Sequence, residues 1–589
     1  MKLKNLFRKK FAAIALPIAG AALLIVGGSL AFWVLTRSRF APGNLPVGAT
    51  VIPKDALMVM TLTTDEGEWR RLRSFGTEKS QTELDRNLAQ FRDRFLTVNN
   101  LNYEQDIQPW VGPEVTLAML SPQVELATPK EGQTAQPPSP QPTVLVLPIA
   151  SPLKAKELLD NPKEIPGRKW SDRTYKDIKI RRAEGNQPNQ TLEVAAFDAQ
   201  LLVVTNSARA MERTIDALKG EAALADTPGY ANALGQIQTG RTFASLYFNV
   251  PETILSSNAN TNRKLPQSNV EQVQQSQGWA TTANLEPDGI KLQSIFWLKP
   301  DSQRKFSQRN TAKTMVSRLP NDTLLMTSGG DLKQFWEDYS RDYATYPVKL
   351  LDPAGVQEAM KGTLGMDWRE DFIQWMQGEF SFSLVTAPAG SDPTTPIGMV
   401  FMVQSSDRRA AEKALKQLDE VMAKKYNFQI EETQLEGQTV TNWQQPASPV
   451  NITRGWLDGN VAFISVGAPV AKTFLPRPRT PLNSNPTFQQ AVIYNPDQTN
   501  GQFFADLDRA ATFKSVPFLG FLQTNQVWLD AMRSIGLNSV VTSDRTTRYE
   551  AKVLLKSAGN PQPFPSPTIP SASPAPKLPP SSASPTPKP

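Results

Sequence analysis

The residues of this chain that could do chemistry carry hydroxyl, amine and carboxylate groups, because its 589 residues include no cysteine and no histidine. A chain without these two residue types has no thiolate nucleophile, no Ser-His-Asp triad, no HExxH zinc motif and no disulfide. Carboxylate-based hydrolases, Ser-Lys enzymes and oxygen-ligated Ca²⁺ or Mg²⁺ sites remain compatible with the composition. Only these arrangements need to be sought.

Two Ser-x-x-Lys pairs have the spacing of a Ser-Lys enzyme: Ser151 with Lys154, and Ser302 with Lys305. In a chain with this many serines and lysines, about two such pairs are expected by chance, and neither is accompanied by the further motifs of such an enzyme. Ser151 stands before Pro152 in the manner of a helix cap. We interpret both pairs as structural.

Acidic residues recur at spacings that could hold a cation or a pair of catalytic acids. Asp506 and Asp508 share one face of a predicted strand, but no further oxygen ligands accompany them, so a solvated strand end is the simpler interpretation. Glu114 and Glu379 begin two similar strands, either as paired acids of a pseudo-symmetric site or as turn carboxylates, which we favour. The sequence thus predicts no catalytic, cofactor-binding or metal-binding residue and no enzymatic activity.

The elements that must position these residues occur twice along the chain. The spacing between the two copies stays between about 258 and 267 residues, which is too regular for a chance resemblance. Strands alternate with short helices and hairpins in both copies. Three matches define the repeat: residues 52–58 with 319–325, Trp69 with Trp336, and residues 106–110 with 371–375. We expect the matched tryptophans to pack in the core.

We therefore predict an α+β protein with two tandem copies of a mixed or antiparallel sheet-plus-helix domain, an N-terminal transmembrane helix and a disordered Pro-rich tail. In the tail, 12 of the 29 residues from Pro561 to Pro589 are proline. The predicted segments are a cytoplasmic basic segment at 1–10, a transmembrane helix at 11–36, the first copy at 46–300, a linker at 301–314, the second copy at 315–556 and the tail at 557–589.

The predicted membrane anchor is an uncharged, mostly apolar run from residue 11 to 36 that follows a basic cluster. About 25 residues at 1.5 Å per residue would cross a hydrocarbon core of about 30 Å. A cleaved signal peptide is the alternative, but residues 31–37 are bulky where a peptidase requires small side chains. The positive-inside rule predicts a cytoplasmic N-terminus.

The net charge of +7 belongs wholly to this N-terminal segment. Seven Lys/Arg residues and no acidic residue precede residue 40, and the remainder holds 56 basic and 56 acidic residues. A neutral remainder has no field that would attract phosphate groups, so we expect no nucleic-acid partner.

One segment contains more apolar residues than are needed to form a single buried face of a helix or strand. It consists of Phe518, Leu519, Phe521 and Leu522, and the first copy has a polar loop at the equivalent place. The segment either packs in the core or forms an interaction surface.

The basic-flanked anchor, the Leu/Ile-Pro-x-Asp-x-Leu strand and the duplicated unit resemble an uncharacterised, mainly cyanobacterial family of membrane-anchored proteins catalogued as a domain of unknown function. The resemblance implies a single-pass membrane protein whose bulk faces the periplasm or the thylakoid lumen. It supplies no catalytic residues.

Three functions are compatible with the sequence. The leading hypothesis is a membrane-tethered, extracytoplasmic, non-enzymatic interaction or scaffold module, whose partner is another membrane or envelope protein. The second is a carrier of a lipid, pigment or other apolar ligand near the membrane, and the third is a carboxylate-based hydrolase. No cofactor is expected.

Overall fold

The strands of this chain form over short stretches that are rich in β-branched and other apolar residues. The computed structural model describes residues 45–121, 141–165, 167–185, 191–238, 242–259, 267–307, 310–343, 352–445, 450–493, 499–513 and 526–567, and in this part of the chain there are twenty strands. The first repeat (residues 45–298) contains β1 Met58–Thr63, β2 Glu114–Met119, β3 Thr143–Pro148, β4 Lys169–Tyr175, β5 Ile178–Glu184, β6 Leu192–Phe197, β7 Leu201–Thr205, β8 Ala244–Phe248, β9 Ser276–Glu286 and β10 Gly289–Leu298. The second repeat (residues 310–555) contains β11 Thr323–Gly329, β12 Phe380–Thr386, β13 Ile397–Gln404, β14 Gln429–Leu435, β15 Gln438–Gln444, β16 Asn451–Leu457, β17 Val461–Gly467, β18 Gly501–Asp506, β19 Met532–Ser543 and β20 Thr546–Leu555.

Several helices begin after a residue whose side chain caps their free amide groups, as Asp65 does by accepting hydrogen bonds from the amides of Gly67 and Glu68. In the first repeat they are α1 Glu66–Ser74, α2 Glu78–Phe95, α3 Pro152–Asp160, α4 Ala208–Leu218, α5 Tyr230–Ile237, α6 Val250–Ala259 and α7 Gln267–Gln274. In the second they are α8 Met315–Arg318, α9 Leu332–Asp342, α10 Pro353–Ala359, α11 Arg408–Tyr426, α12 Ala471–Phe474, α13 Pro486–Ala491, α14 Leu507–Ala510 and α15 Gln526–Ala531.

Both repeats have the same strand order, and every strand pairing is antiparallel. The first repeat runs β4-β5-β6-β7-β3-β2-β1-β8-β9-β10. The second runs β14-β15-β16-β17-β13-β12-β11-β18-β19-β20. The two last strands, β10 and β20, pair with each other from Gly289 opposite Leu554 to Trp297 opposite Thr546. The result is one sheet of twenty strands in the part of the chain that is described.

The predicted fold of two separate domains behind a transmembrane helix is therefore wrong. The repeats share a single sheet, because β10 and β20 are the edge strands of their own halves and pairing satisfies the amide and carbonyl groups that each edge would expose. The predicted disordered tail also needs correction, since its first residues, 557–567, are described and contact the first repeat.

The structure does not support the prediction of a single-pass membrane protein. That prediction placed the N-terminus in the cytoplasm and the bulk of the chain in the periplasm or thylakoid lumen. No helix among the described residues is long and apolar enough to cross a membrane. The 19-residue helix α11 shows the reason, because charged residues occur along its whole length. The proposed span at 11–36 lies outside the described residues.

Each face of the sheet carries a hydrophobic core. In the first repeat, α4 and α5 cover a cluster that includes Val59 and Tyr247, and the opposite face carries a cluster that includes Met60 and Trp110. The prediction that the matched tryptophans pack in the core is confirmed, because Trp69, Trp110, Trp336 and Trp375 are all at most 8 % exposed.

A row of polar side chains crosses the sheet at directly paired positions and continues through the junction of the repeats. Residues of this kind are uncommon in a core unless their polar atoms are paired. The polar row consists of Thr116, Thr61, Ser245, Thr282, Gln293, Glu550, Asn538, Gln502, Ser328 and Ser381. All but Glu550 are buried.

Candidate functional site

The predicted interaction surface lies outside the described residues. Phe518, Leu519, Phe521 and Leu522 fall within residues 514–525, which the described part of the chain does not include. Their role stays a prediction.

The Ser-x-x-Lys pairs have other contacts. Ser151 occupies the N-cap position of α3, although its side chain makes no capping hydrogen bond, and Lys154 is exposed on the same helix. The Ser302 hydroxyl is 3.4 Å from the carbonyl oxygen of Arg304, while the Lys305 amine is 3.6 Å from the Asp544 carboxylate. These contacts fit the structural interpretation of both pairs.

The two matched glutamates each hold the segment that leads into their repeat. The Glu114 carboxylate accepts a hydrogen bond from the Val47 amide at 2.9 Å, and burial raises the pKa of this carboxyl. The Glu379 carboxylate accepts from the Thr314 amide at 2.7 Å, from the Thr314 hydroxyl at 2.6 Å and from the Met315 amide at 2.9 Å. These bonds support the interpretation as turn carboxylates.

The Asp506 and Asp508 carboxylates are not arranged around a cation. Asp506 caps α14 by accepting from the Arg509 amide at 3.0 Å, and burial raises the pKa of its carboxyl. Asp508 lies 3.0 Å from the Lys556 amine and 3.7 Å from the Arg533 guanidinium. Across the described ranges, no group of three or more acidic residues could hold a metal ion.

A different site is formed where the chain returns from the second repeat to the first. Residues 556–567, here called the strap, leave β20 and cross α1 and α2. The Gly76 amide donates to the Lys556 carbonyl at 2.6 Å, and the Ala558 amide donates to the Ser74 carbonyl at 3.2 Å. Beyond them, prolines 561, 563, 565 and 567 hold the backbone extended.

Phe564 is the anchor of the strap. Its ring packs against the cluster that contains Trp69, Leu84 and Leu88. The guanidinium carbons of Arg73 and Arg92 lie 5.3 and 5.2 Å from the ring centroid, which is within cation–π range.

The same two arginines also bind the strap backbone. Arg73 Nη2 donates to the Gln562 carbonyl at 2.7 Å, and Arg92 Nη1 donates to the Pro565 carbonyl at 2.5 Å. Carbonyls are the groups that a proline-rich segment offers, because proline has no backbone N–H. The two arginines thus bind the Phe564 ring and two backbone carbonyls of the strap.

The groove between α1 and α2 is here called the strap groove. Ionic contacts hold its two arginine side chains in place. Arg73 Nε and Nη2 donate to Asp85 Oδ1 and Oδ2 at 2.6 and 2.7 Å, and both side chains are 9 % exposed. The side-chain amide of Gln81 donates to the backbone carbonyl of Arg73 at 2.8 Å. Arg92 Nε donates to the Asp93 carboxylate at 3.0 Å. Carboxylates therefore hold both guanidiniums in place beside the strap.

Reasoning from sequence missed Arg73, Arg92 and Phe564. A signal was present, because Phe564 is the one aromatic residue between 556 and 589 and has proline on both sides. An aromatic residue in a tail with few large apolar residues indicates a packing contact, although the overall composition of the tail predicts disorder.

Three crystal forms of one solved protein share a partial likeness with this chain. "Structure of crystal form III of TP0453" is 12% identical, covers 45% of this chain and 83% of that chain, and has a TM-score of 0.23. Crystal form I is 10% identical (43% and 79% coverage), and crystal form IV is 11% identical (43% and 81% coverage), both with TM-scores of 0.23. Scores this low carry no argument. No curated protein matches the sequence.

A family model described as "Protein of unknown function (DUF3352)" matches residues 18–555. The match ends at the last residue of β20, so the strap lies beyond it. The expected resemblance to a family of unknown function is confirmed, whereas its cyanobacterial character stays a prediction. Because the match covers most of its length, this chain belongs to the DUF3352 family of proteins of unknown function.

Proposed function

We propose that this chain is a non-enzymatic interaction module whose strap groove binds an extended, proline-rich peptide segment of a partner protein. The single observation that carries the proposal is the strap itself, which places Phe564 between Arg73 and Arg92. The strap is then the intramolecular occupant of a peptide-binding groove.

The contacts are of the kind that recognition of proline-rich segments uses. Such segments are extended before binding, so little conformational entropy is lost when they dock. Their recognition rests on aromatic or apolar side chains and on backbone carbonyls, and the groove engages the Phe564 ring and the carbonyls of Gln562 and Pro565.

The strap is suited to exchange with a partner segment. Gln562, Pro563 and Pro565 are exposed, so Phe564 is the main anchor of residues 561–567. Full burial of a phenylalanine contributes about 1.5–3 kcal/mol, of which the half-buried Phe564 gains a part, and each cation–π contact contributes about 0.5–2 kcal/mol. A short tether gives an effective concentration in the millimolar range, so the tethered strap would exclude a weak competitor.

The test uses the chain ended after Asn560 and a fluorescent peptide of residues 559–567. We expect the shortened chain to bind this peptide with a Kd between about 10 μM and 1 mM, measured by fluorescence anisotropy. The full-length chain should bind it at least about tenfold more weakly, because the strap competes. A peptide with Phe564→Ala should not bind.

Two variants of α2 in the shortened chain provide a matched comparison. Arg92→Ala should weaken peptide binding about fivefold or more, since it removes a carbonyl donor and a cation–π contact. Arg86→Ala should leave binding unchanged, because the exposed Arg86 side chain pairs with Glu83. Circular dichroism would verify folding. Equal binding of the Phe564→Ala peptide, or no binding to a folded shortened chain, would contradict the proposal.

A further inference from the structure

Three aromatic side chains form a row across the first repeat, on the face of the sheet opposite the polar row. Phe248, Trp279 and Phe296 lie at directly paired positions of β8, β9 and β10, and they are here called the aromatic ladder. Each lies three residues along its strand from a member of the polar row, which places it on the other face. Phe306, which follows β10, has its ring centroid 6.0 Å from that of Phe296.

The aromatic ladder is open to solvent and has no charge. Trp279 is 40 % exposed, and Phe248 and Phe296 are half-buried. The next paired residues of β9 and β10 on this face are Thr281 and Ser294, whose hydroxyl oxygens are 2.9 Å apart. A row of exposed rings with neutral neighbours is suited to the packing of an uncharged, apolar segment.

The second repeat has no such ladder. Counted from the polar row, the positions that correspond to it are Ala505, Ile535 and Val553, which are also directly paired. The strand order and the pairing are the same in both repeats, so the fold does not require aromatic residues at these positions. Packing of the sheet therefore does not account for the ladder.

The width of the ladder matches one turn of a polyproline helix. Neighbouring strands lie about 4.8 Å apart, so the outer residues, Phe248 and Phe296, are separated by about 9.6 Å. A polyproline helix rises about 3.1 Å per residue, so residues three apart lie about 9.3 Å apart on the same edge. Two prolines at this spacing can pack on both ends of the ladder, in the way that aromatic-lined surfaces recognise Pro-x-x-Pro segments.

A segment of this kind lies in the tail of the chain itself. Beyond residue 567, Pro576 and Pro579 are the one pair of prolines that are three residues apart, and Leu578 lies between them. Residues 568–589 include no acidic residue and two lysines. The segment is thus apolar and extended, as the uncharged ladder requires.

The tail is long enough to reach the ladder. The cluster that holds Phe564 includes Leu285, which lies on the same face of β9 as Trp279 and six residues from it. Six residues of a strand span about 20 Å. The twelve residues from 565 to 576 reach about 37 Å at 3.1 Å per residue, which exceeds that distance.

We infer that the aromatic ladder is the docking site of residues 576–580 of this chain, which lie on it as a polyproline helix that crosses β8, β9 and β10. Pro576 and Pro579 pack on the outer rings, and Trp279 lies between them. The strap groove and the ladder then hold two successive parts of one tail. Docking on the ladder does not require that the strap groove bind a partner protein.

The first test uses the chain ended after Pro567, which keeps the strap in its groove, and a fluorescent peptide of residues 573–583. Fluorescence anisotropy should give a Kd between about 0.1 and 1 mM. Trp279→Ala should weaken binding at least about fivefold, since it removes the central ring. Ile535→Ala, at the corresponding position of the second repeat, should not alter binding. Equal binding by a folded Trp279→Ala variant, or no binding to the folded shortened chain, would overturn the inference.

A second measurement keeps the inference testable if Trp279→Ala does not fold. The full-length chain should bind the peptide at least about threefold more weakly than the shortened chain, because a tethered segment has an effective concentration in the millimolar range. The full-length chain with Pro576→Ser and Pro579→Ser should bind the peptide as tightly as the shortened chain does. Equal binding by the full-length and shortened chains would contradict docking of the tail on the ladder.

Discussion

Glu193 on β6 is fully buried and is held by Arg173 of β4, whose Nε and Nη2 donate to the two carboxylate oxygens at 2.9 and 2.7 Å. These bonds to Glu193 also raise the pKa of the Arg173 guanidinium. The second repeat has neutral residues, Thr433, Asn442 and Thr453, on the corresponding strands β14, β15 and β16. The Asn442 amide donates to Thr433 at 2.8 Å and accepts from the Thr453 hydroxyl at 2.8 Å. Identical strand geometry therefore accommodates either charges or neutral groups, provided that each polar atom has a partner.

Removal of the buried Glu193 carboxylate should destabilise the fold. We expect Glu193→Ala to lower the free energy of unfolding by about 3–5 kcal/mol, because Arg173 loses its partner on the sheet. Thr453→Val at the equivalent place should lower it by about 1–3 kcal/mol, since only a neutral acceptor is left unpaired. Urea unfolding of both variants would measure the difference, and a smaller loss for Glu193→Ala would contradict this reasoning.

The raised pKa of Glu114 predicts a dependence of stability on pH. Because the folded-state pKa lies above the unfolded value of about 4.3, this group stabilises the fold below that value and the contribution is lost as pH rises through the folded pKa. Glu114→Gln keeps an acceptor for the Val47 amide and cannot ionise. Its melting temperature relative to the wild type should thus increase between pH 4 and pH 7. A relative melting temperature that is the same at both pH values would show that ionisation of Glu114 has no effect.

At the scale of elements, the polar row differs between the repeats in how its atoms are paired. In the first repeat, Thr61 and Thr116 hydroxyls are 2.9 Å apart, and Thr282 donates to the Ile237 carbonyl at 3.1 Å. In the second repeat, polar atoms of Ser328, Ser381, Gln502 and Asn538 have no partner among the described residues. The second-repeat part of the polar row thus carries a desolvation cost that Thr61, Thr116 and Thr282 avoid.

Replacement of Gln502 should therefore stabilise the second repeat. We expect Gln502→Met to raise the free energy of unfolding by about 1 kcal/mol or more, because both polar atoms of its buried amide are unpaired. Thr282→Val should lower it by a similar amount, since the Ile237 carbonyl loses its donor. Chemical denaturation would compare the two. A loss of stability in Gln502→Met would mean that an ordered water satisfies the amide.

At the scale of the whole molecule, the contacts that join the repeats include the junction of β10 with β20 and the strap. The pairing of β10 with β20 makes one sheet, and the strap ties the end of the second repeat to α1 and α2 of the first. Gly289 begins β10 where a Cβ atom would overlap the Val553 carbonyl oxygen of β20. A glycine at this point allows the two edge strands to approach.

A larger side chain at this glycine should weaken the junction. We expect Gly289→Val to lower the free energy of unfolding by about 2–3 kcal/mol and to separate the unfolding of the repeats into two transitions. Gly235→Ala provides the control, because a Cβ there meets no atom within 4 Å. Differential scanning calorimetry distinguishes one transition from two. A single transition at unchanged temperature in Gly289→Val would show that the close approach of the strands at Gly289 is not needed for the repeats to unfold together.

The repeat and the buried tryptophans were accessible from the sequence because they depend on local periodicity and on residue type. The strap contact was not, since Arg73 and Gln562 are 489 residues apart and their bond uses a backbone carbonyl. The predicted surface at Phe518–Leu522 and the carrier hypothesis stay predictions.

By itself, the sequence determined the duplication, the membership of a family of unknown function and the exclusion of histidine and cysteine chemistry. Tertiary structure decided that the two repeats form one sheet and that the strap lies on α1 and α2. The physical reason is that amide and carbonyl groups are the same in every residue. Side-chain patterns show which face of a strand is buried, whereas the partner at its edge depends on where the chain brings the next backbone.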